Sequence, residues 1–256
     1  NVVVVSLTQD GVTGLGEAAG VYYRKETPDV LIAQVQAARG AIEGGISRSE
    51  LRDVLPPGGA RNAVDAALWD LEAKRSGVPA WEGAGLRPPS GLATTYTIGA
   101  DTPEKMADVA RGYAKAKRIK MKLTGEGDAA RVKAVREARP DAWIGVDANQ
   151  GFTRASLEAL MPAFQDANVS LIEQPLKVGH EADLDGFHSP IPLAAEESVQ
   201  SRADIAKPKG RFEVVNIKLD KCGGLTEGLM MVRAVRERGL RLMVGCMEGT
   251  SLAMMP

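Results

Sequence analysis

Apolar positions along this chain recur with two periods, and the way the periods alternate divides it. The runs Val2 to Leu7 and Val12 to Ala18 are strand-like and are joined through Gln9-Asp10-Gly11, a turn signal that predicts a β-hairpin. Thr27-Pro28-Asp29 offers an N-cap, a proline at the first helical position and an early acid, predicting a helix that runs towards Gly44-Gly45. A shorter helix follows from Ser47. Pro56-Pro57-Gly58-Gly59 then breaks the chain, and Ala60 to Arg75 reads as an Ala-rich helix with Val64, Leu68 and Leu71 at helical spacing before Gly77. Residues 1–90 therefore read as an α+β domain.

After the Pro/Gly-rich stretch Arg87 to Gly91 the pattern changes to short apolar strands alternating with helices of roughly ten to fifteen residues. The expected strands are Thr94 to Gly99, Ile119 to Leu123, Trp143 to Asp147, Ser170 to Glu173, Leu193 to Glu196, Val214 to Leu219 and Arg241 to Gly245. Lys122, Asp147, Glu173, Glu196 and Lys218 stand near strand ends at spacings of 25, 26, 23 and 22 positions, one to each βα unit. In a (β/α) barrel the carboxyl ends of the strands converge on one face, so these residues are expected to meet. The expected class is α/β: a TIM-like (β/α) barrel over residues 91–256 with an N-terminal capping domain over 1–90. No Gly-x-Gly-x-x-Gly follows the first of these strands, which argues against a dinucleotide fold.

Composition narrows the function. The chain has 256 residues, 44% of them hydrophobic and 25% charged, with a formal net charge of −1. That balance gives no global field for nucleic acid or an anionic membrane. Two cysteines, Cys222 and Cys246, supply neither a disulfide framework nor a zinc module and fit a reducing cytoplasm. No apolar run reaches the roughly 20 residues of a membrane span. The oligomeric state is left open, a homo-oligomer included.

Three carboxylates on successive strands must repel, protonate or share a cation. All-oxygen ligation without histidine or cysteine favours Mg2+, with Mn2+ as its substitute, on Asp147, Glu173 and Glu196. Lys120 and Lys122 flank Met121, so the strand period of two puts both lysines on one face and Met121 on the other. Met121 suits the layer under the helices, which leaves the lysines inside, where each is expected to lower the other's proton affinity and serve as a base. The same parity in Asn216-Ile217-Lys218-Leu219-Asp220 turns Lys218 and Asp220 inward. The second and sixth strands lie across an eight-stranded barrel, so Lys122 and Lys218 would face a ligand from opposite sides, an arrangement suited to inverting a carbon centre.

Lys120-x-Lys122, Asp147-Ala-Asn-Gln, Ile172-Glu173-Gln174-Pro175, Ala194-Ala195-Glu196-Glu197-Ser198 and the run Asn216 to Gly224 together resemble the enolase superfamily. The subgroup resembled contains muconate cycloisomerase, o-succinylbenzoate synthase and the dipeptide epimerases. Leu15-Gly16-Glu17-Ala18 and Ala66 to Leu71 extend the likeness into the capping domain. The resemblance implies that Asp147, Glu173 and Glu196 ligate the metal, that Lys122 and Lys218 are the two acid/bases, and that Lys120 pairs with the substrate carboxylate. Tyr96 is assigned to substrate binding with Lys120, while Glu197, Asp220 and Asn149 would stand behind the site. Glu196 departs from the family's usual aspartate.

Mandelate-racemase-like members use a late histidine base, but His180 and His188 lie between the fourth and fifth expected strands and read as loop residues. Lys218 to Gly224 followed by Val244-Gly245-Cys246-Met247 looks most like dipeptide epimerases of the L-Ala-D/L-Glu type. Such an enzyme would remove and return the α-proton of the C-terminal residue of a dipeptide, through an enolate. A cycloisomerase or o-succinylbenzoate synthase on the same site, and a non-catalytic metal-binding scaffold, are the alternatives. Seven barrel strands are legible. The eighth, with the Asp-x-Asp loop that the resemblance implies, and the capping domain's first strand and mobile loop, are expected outside this numbering; a molecule ending here is expected to have an open sheet edge, poor stability and little turnover.

Overall fold

The computed structural model describes residues 1–256, which form two compact units: residues 1–90 with 200–205 and 216–256, and residues 91–199 with 206–215.

In the first unit, β1 (Val3–Gln9) and β2 (Val12–Ala18) pair antiparallel from Val3 opposite Ala18 to Gln9 opposite Val12. Asp10 and Gly11, at φ 51° and 78°, form the two-residue turn whose twist matches that of the strands. Thr27 caps α1 (Pro28–Ala37) by accepting from the Val30 amide at 3.4 Å. The expected helix to Gly44 is broken at Ala38 and resumes as α2 (Arg39–Glu43). After α3 (Leu51–Val54), α4 (Gly59–Ser76) runs for 18 residues to Gly77, whose left-handed backbone closes it, and α5 (Ala80–Gly83) follows. The alanines of α4 let β2 approach closely: a Cβ at Gly14 or Gly16 would collide with the Ala67 or Ala63 carbonyl. Val5, Ala18, Leu51, Leu55, Ala63, Val64 and Ala67 form the core beneath.

The second unit contains β3 (Tyr96–Ile98), α6 (Pro103–Gly112), β4 (Arg118–Lys122), α7 (Asp128–Ala138), β5 (Trp143–Asp147), α8 (Arg154–Asp166), β6 (Val169–Glu173), β7 (Leu193–Ala195) and the start of β8 (Val214–Lys218). Neighbouring strands are parallel from β3 to β8 and follow sequence order. Ile98, Met121, Val146 and Ile172 are buried on the face turned to the helices. Their alternates Lys120, Lys122, Asp147 and Glu173 share the other face.

The end of β8, α9 (Leu219–Cys222), α10 (Leu225–Glu237), β9 (Arg241–Gly245) and α11 (Ser251–Met254) return to the first unit, with β9 next to β8 in sheet order. The alternation of strand and helix around a sequentially ordered parallel sheet is that of a TIM-like (β/α) barrel, here with seven strands, preceded by an α+β region. No helix is long and apolar enough to cross a membrane.

Candidate metal and proton-transfer site

Lys122, Asp147 and Glu173 end three adjacent strands in one register row. The Lys120 ammonium, two residues back on the same face, lies 2.8 Å from Asp147 Oδ2 and 2.6 Å from Glu173 Oε2. Lys122 reaches the same Asp147 oxygen at 2.7 Å. These groups are withdrawn from water: Asp147 is 2% exposed and Glu173 1%. Burial disfavours the Lys120 charge, but Glu173 and Asp147 outweigh it and hold the ammonium above the ordinary lysine range. Burial likewise opposes the Asp147 charge, and the two lysines prevail, holding its carboxyl below the usual range. With no metal between them, the carboxylates facing Lys120 set the direction of its shift.

Glu196 and Glu197 follow β7, which ends one residue earlier than the sequence predicts, and both are buried. The Glu197 carboxyl is pushed up to about 8 by burial, by Glu196 beside it and by Asp147. Asn149, next to Asp147 in the following turn, donates its amide N–H to Asp147 Oδ1 at 3.0 Å and its side chain to Glu197 Oε1 at 3.5 Å. Four acids thus crowd these strand ends against two lysines. They do not close into a three-ligand set; Asp147 and Glu173 turn instead onto the Lys120 ammonium. A seat where two buried carboxylates grip one cation, with further acids beside it and only oxygen donors, fits a hard divalent ion.

Tyr96 stands apart from this group. It is in register with Ile119, on the helix-facing side of the sheet, and its ring lies 5.1 Å from that of Tyr113, which follows α6. The residue of β3 that shares the lysines' face is Thr97, the register partner of Lys120. The substrate-binding role expected of Tyr96 therefore has no geometric support.

Lys218 ends β8, and the strand parity expected to continue to Asp220 stops there, because Leu219 to Cys222 form a helical turn. Asp220 accepts from Asn62 Nδ2 at 3.1 Å, and burial pushes its carboxyl up to about 6. At the end of β9, Gly245 leaves space for Lys218: a Cβ there would stand 3.1 Å from Lys218 Cε and 2.9 Å from Asn216 Oδ1. His180 lies on the surface beside Asp183, 3.3 Å away, and His188 follows in the next loop.

Gln174, quoted in a motif but given no role from sequence, proves central. Fully buried, its Oε1 accepts from the amides of Glu196 at 2.9 Å and Ser198 at 3.1 Å, while Nε2 donates to the Leu176 carbonyl and to Ser198 Oγ. It thereby ties the residue after Glu173 to the backbone of Glu196. Its φ of 37°, with 43° at Asn149 and 66° at Gln150, places strained left-handed backbone one residue after Glu173 and two residues after Asp147.

Comparison with known proteins agrees with this arrangement. Residues 1–85 match the mandelate racemase/muconate lactonizing enzyme N-terminal domain, and residues 104–256 the enolase C-terminal domain-like family. An L-Ala-D/L-Glu epimerase of Escherichia coli strain K12 is 40% identical over 254 residues, 98% of this chain and 79% of that protein. An N-acetyl-D-glutamate racemase of a Pseudoalteromonas species is 41% identical over 208 residues, 81% of this chain and 66% of that protein. A solved dipeptide epimerase from Methylococcus capsulatus, complexed with a magnesium ion, superposes with a TM-score of 0.91 at 31% identity, covering 99% of this chain and 79% of that one. The chain belongs to the mandelate racemase/muconate lactonizing enzyme family of the enolase superfamily.

Proposed function

We propose that the chain is a magnesium-dependent epimerase of N-acylated glutamates, dipeptides of the L-Ala-D/L-Glu kind foremost, acting at the α-carbon of the glutamyl residue. The observation that carries this reading is the buried cation seat formed by Asp147 and Glu173 with lysines 120 and 122 on the same face. Asp147, Glu173 and Glu196 would hold the metal, which when bound supplies positive charge next to the substrate carboxylate as the α-proton leaves. Lys120 takes up the negative charge that develops on that carboxylate. Lys122 and Lys218 are the acid/base pair, one removing the α-proton and the other delivering a proton to the opposite face.

The two named relatives share a chemistry that sharpens the substrate: each name describes glutamate whose nitrogen carries an acyl group, alanyl in one and acetyl in the other. An N-acetylglutamate racemase is accordingly the second reading; the alanyl group differs from acetyl by an ammonium and a methyl group on the carbon next to the carbonyl. We place the activity in the cytoplasm, where Cys222 and Cys246, both free thiols, stay reduced.

Proton NMR in deuterated buffer with magnesium decides the matter. Exchange at the glutamyl α-carbon of L-Ala-L-Glu and L-Ala-D-Glu, with interconversion of the two, is the expected result, and faster exchange of N-acetylglutamate would select the second reading. Lack of exchange with all three substrates would overturn both.

A further inference from the structure

We propose that α4 is the positioning element for Lys218, holding the turn after β8 so that the lysine keeps one orientation; Asn62 reaches that turn at Asp220, two residues beyond the lysine. The proposal rests on the reading of Lys218 as an acid/base.

Lys218 occupies the N-cap position of α9, which is four residues long and has no side-chain cap. A helix of that length cannot hold itself, so its shape must be imposed from outside. α4 imposes it. Asn62 Nδ2 donates to Asp220 Oδ1 at 3.1 Å, two residues beyond the lysine. Arg61, buried to 4% exposure, donates to the carbonyls of Cys222 and Gly223, the end of the same turn, and to Leu55. Asp65 accepts from the Thr226 amide at 3.0 Å, and Trp69 Nε1 donates to Thr226 Oγ1 at 3.0 Å. Residues 61, 62, 65 and 69 lie on one face of α4, and that face is spent on the segment from 220 to 226.

The receiving segment is shaped for the contact. Gly223 and Gly224 have φ of 83° and 112°, and a Cβ on either would collide with Arg61 or crowd Asp65. Gly245 leaves the slot in which the Lys218 side chain lies. A guanidinium placed among carbonyls with no carboxylate bonded to it is an expensive way to stabilise a core. It is a direct way to fix a backbone.

The test uses Asn62→Leu, which removes the donor while keeping the branch at Cγ, and Asn62→Gln, which restores an amide. With two bases, α-proton exchange from one epimer passes through Lys218 and from the other through Lys122. Asn62→Leu is expected to slow exchange from one epimer about tenfold or more, as loss of a group supporting a reactive residue does. Exchange from the other epimer and KM should change little, and Asn62→Gln should recover part of the loss. Equal losses for both epimers, or none, would overturn the proposal. A readout independent of turnover is the NMR signal of 13C-methylated lysines, with the Lys218 resonance assigned through Lys218→Arg. It should shift in Asn62→Leu while that of Lys122 does not, and an unmoved Lys218 signal overturns the proposal. If the wild-type protein exchanges no N-acylated glutamate, the functional reading fails and this signal alone decides the positioning role.

Discussion

Lys120 and Glu173 form an ion pair at 2.6 Å in which the lysine side chain is 12% exposed and the glutamate 1%. Removing one member of so dry a pair leaves a buried charge uncompensated, which costs about 3–5 kcal/mol. Lys120→Met should therefore lower the melting temperature in metal-free buffer. Magnesium should restore more stability to this variant than to the wild type, because the cation replaces the charge that was lost. Calorimetric melts with and without magnesium measure the difference; equal metal-induced shifts in the two proteins would argue against Asp147 and Glu173 as ligands.

Gln174→Leu should weaken magnesium binding about tenfold or more, since the amide that fixes the Glu196 backbone next to Glu173 disappears. Two buried amides, of Glu196 and Ser198, would also lose their acceptor, at about 1–3 kcal/mol each. Titration calorimetry and chemical denaturation read the two effects separately. Unaltered metal affinity with reduced stability would confine Gln174 to a structural role.

Gly245→Ala puts a methyl group 3.1 Å from Lys218 Cε and 2.9 Å from Asn216 Oδ1. Overpacking of this kind costs about 1–3 kcal/mol and displaces the lysine. We expect kcat to fall while magnesium affinity stays at the wild-type value, as measured by exchange kinetics alongside metal titration.

The Asp220 carboxyl is raised to about 6, chiefly by burial, with Glu26 adding repulsion and the Asn62 and Met247 donors opposing. The fold thus favours its protonated form. That contribution to stability is full below the unfolded carboxyl's value, about 3.9, and is lost as pH rises through about 6; over that interval stability falls by at most about 3 kcal/mol. Asp220→Asn should flatten this part of the stability–pH curve and leave the protein more stable at pH 8. A curve with unchanged slope between pH 4 and 6 would refute the assignment.

Where local chemistry settled an element, the sequence was a sufficient guide. Trp143–Asp147 and Arg241–Gly245 are strands with the expected bounds, and the parity around Met121 does put both lysines on the carboxylate face. Parity misled where it was carried past a strand's end: Leu219–Cys222 form a helical turn, closed by Gly223 in the left-handed region. Tyr96 shows a different limit, because its face depends on the register of β3 against β4, which neither strand encodes alone. Gln174 was invisible because its partners lie 22 and 24 positions away, contacts that only the fold creates.

Gln174 has a further consequence. An amide neither gains nor loses a proton over the range in which proteins survive, so the spacing between the strand ends that carry Glu173 and Glu196 is kept by a group indifferent to acidity. Charge can come and go on the acids around it, as protons, ammonium and metal exchange, without the frame changing shape. Geometry and charge are assigned to different side chains, and each can be altered by mutation without the other.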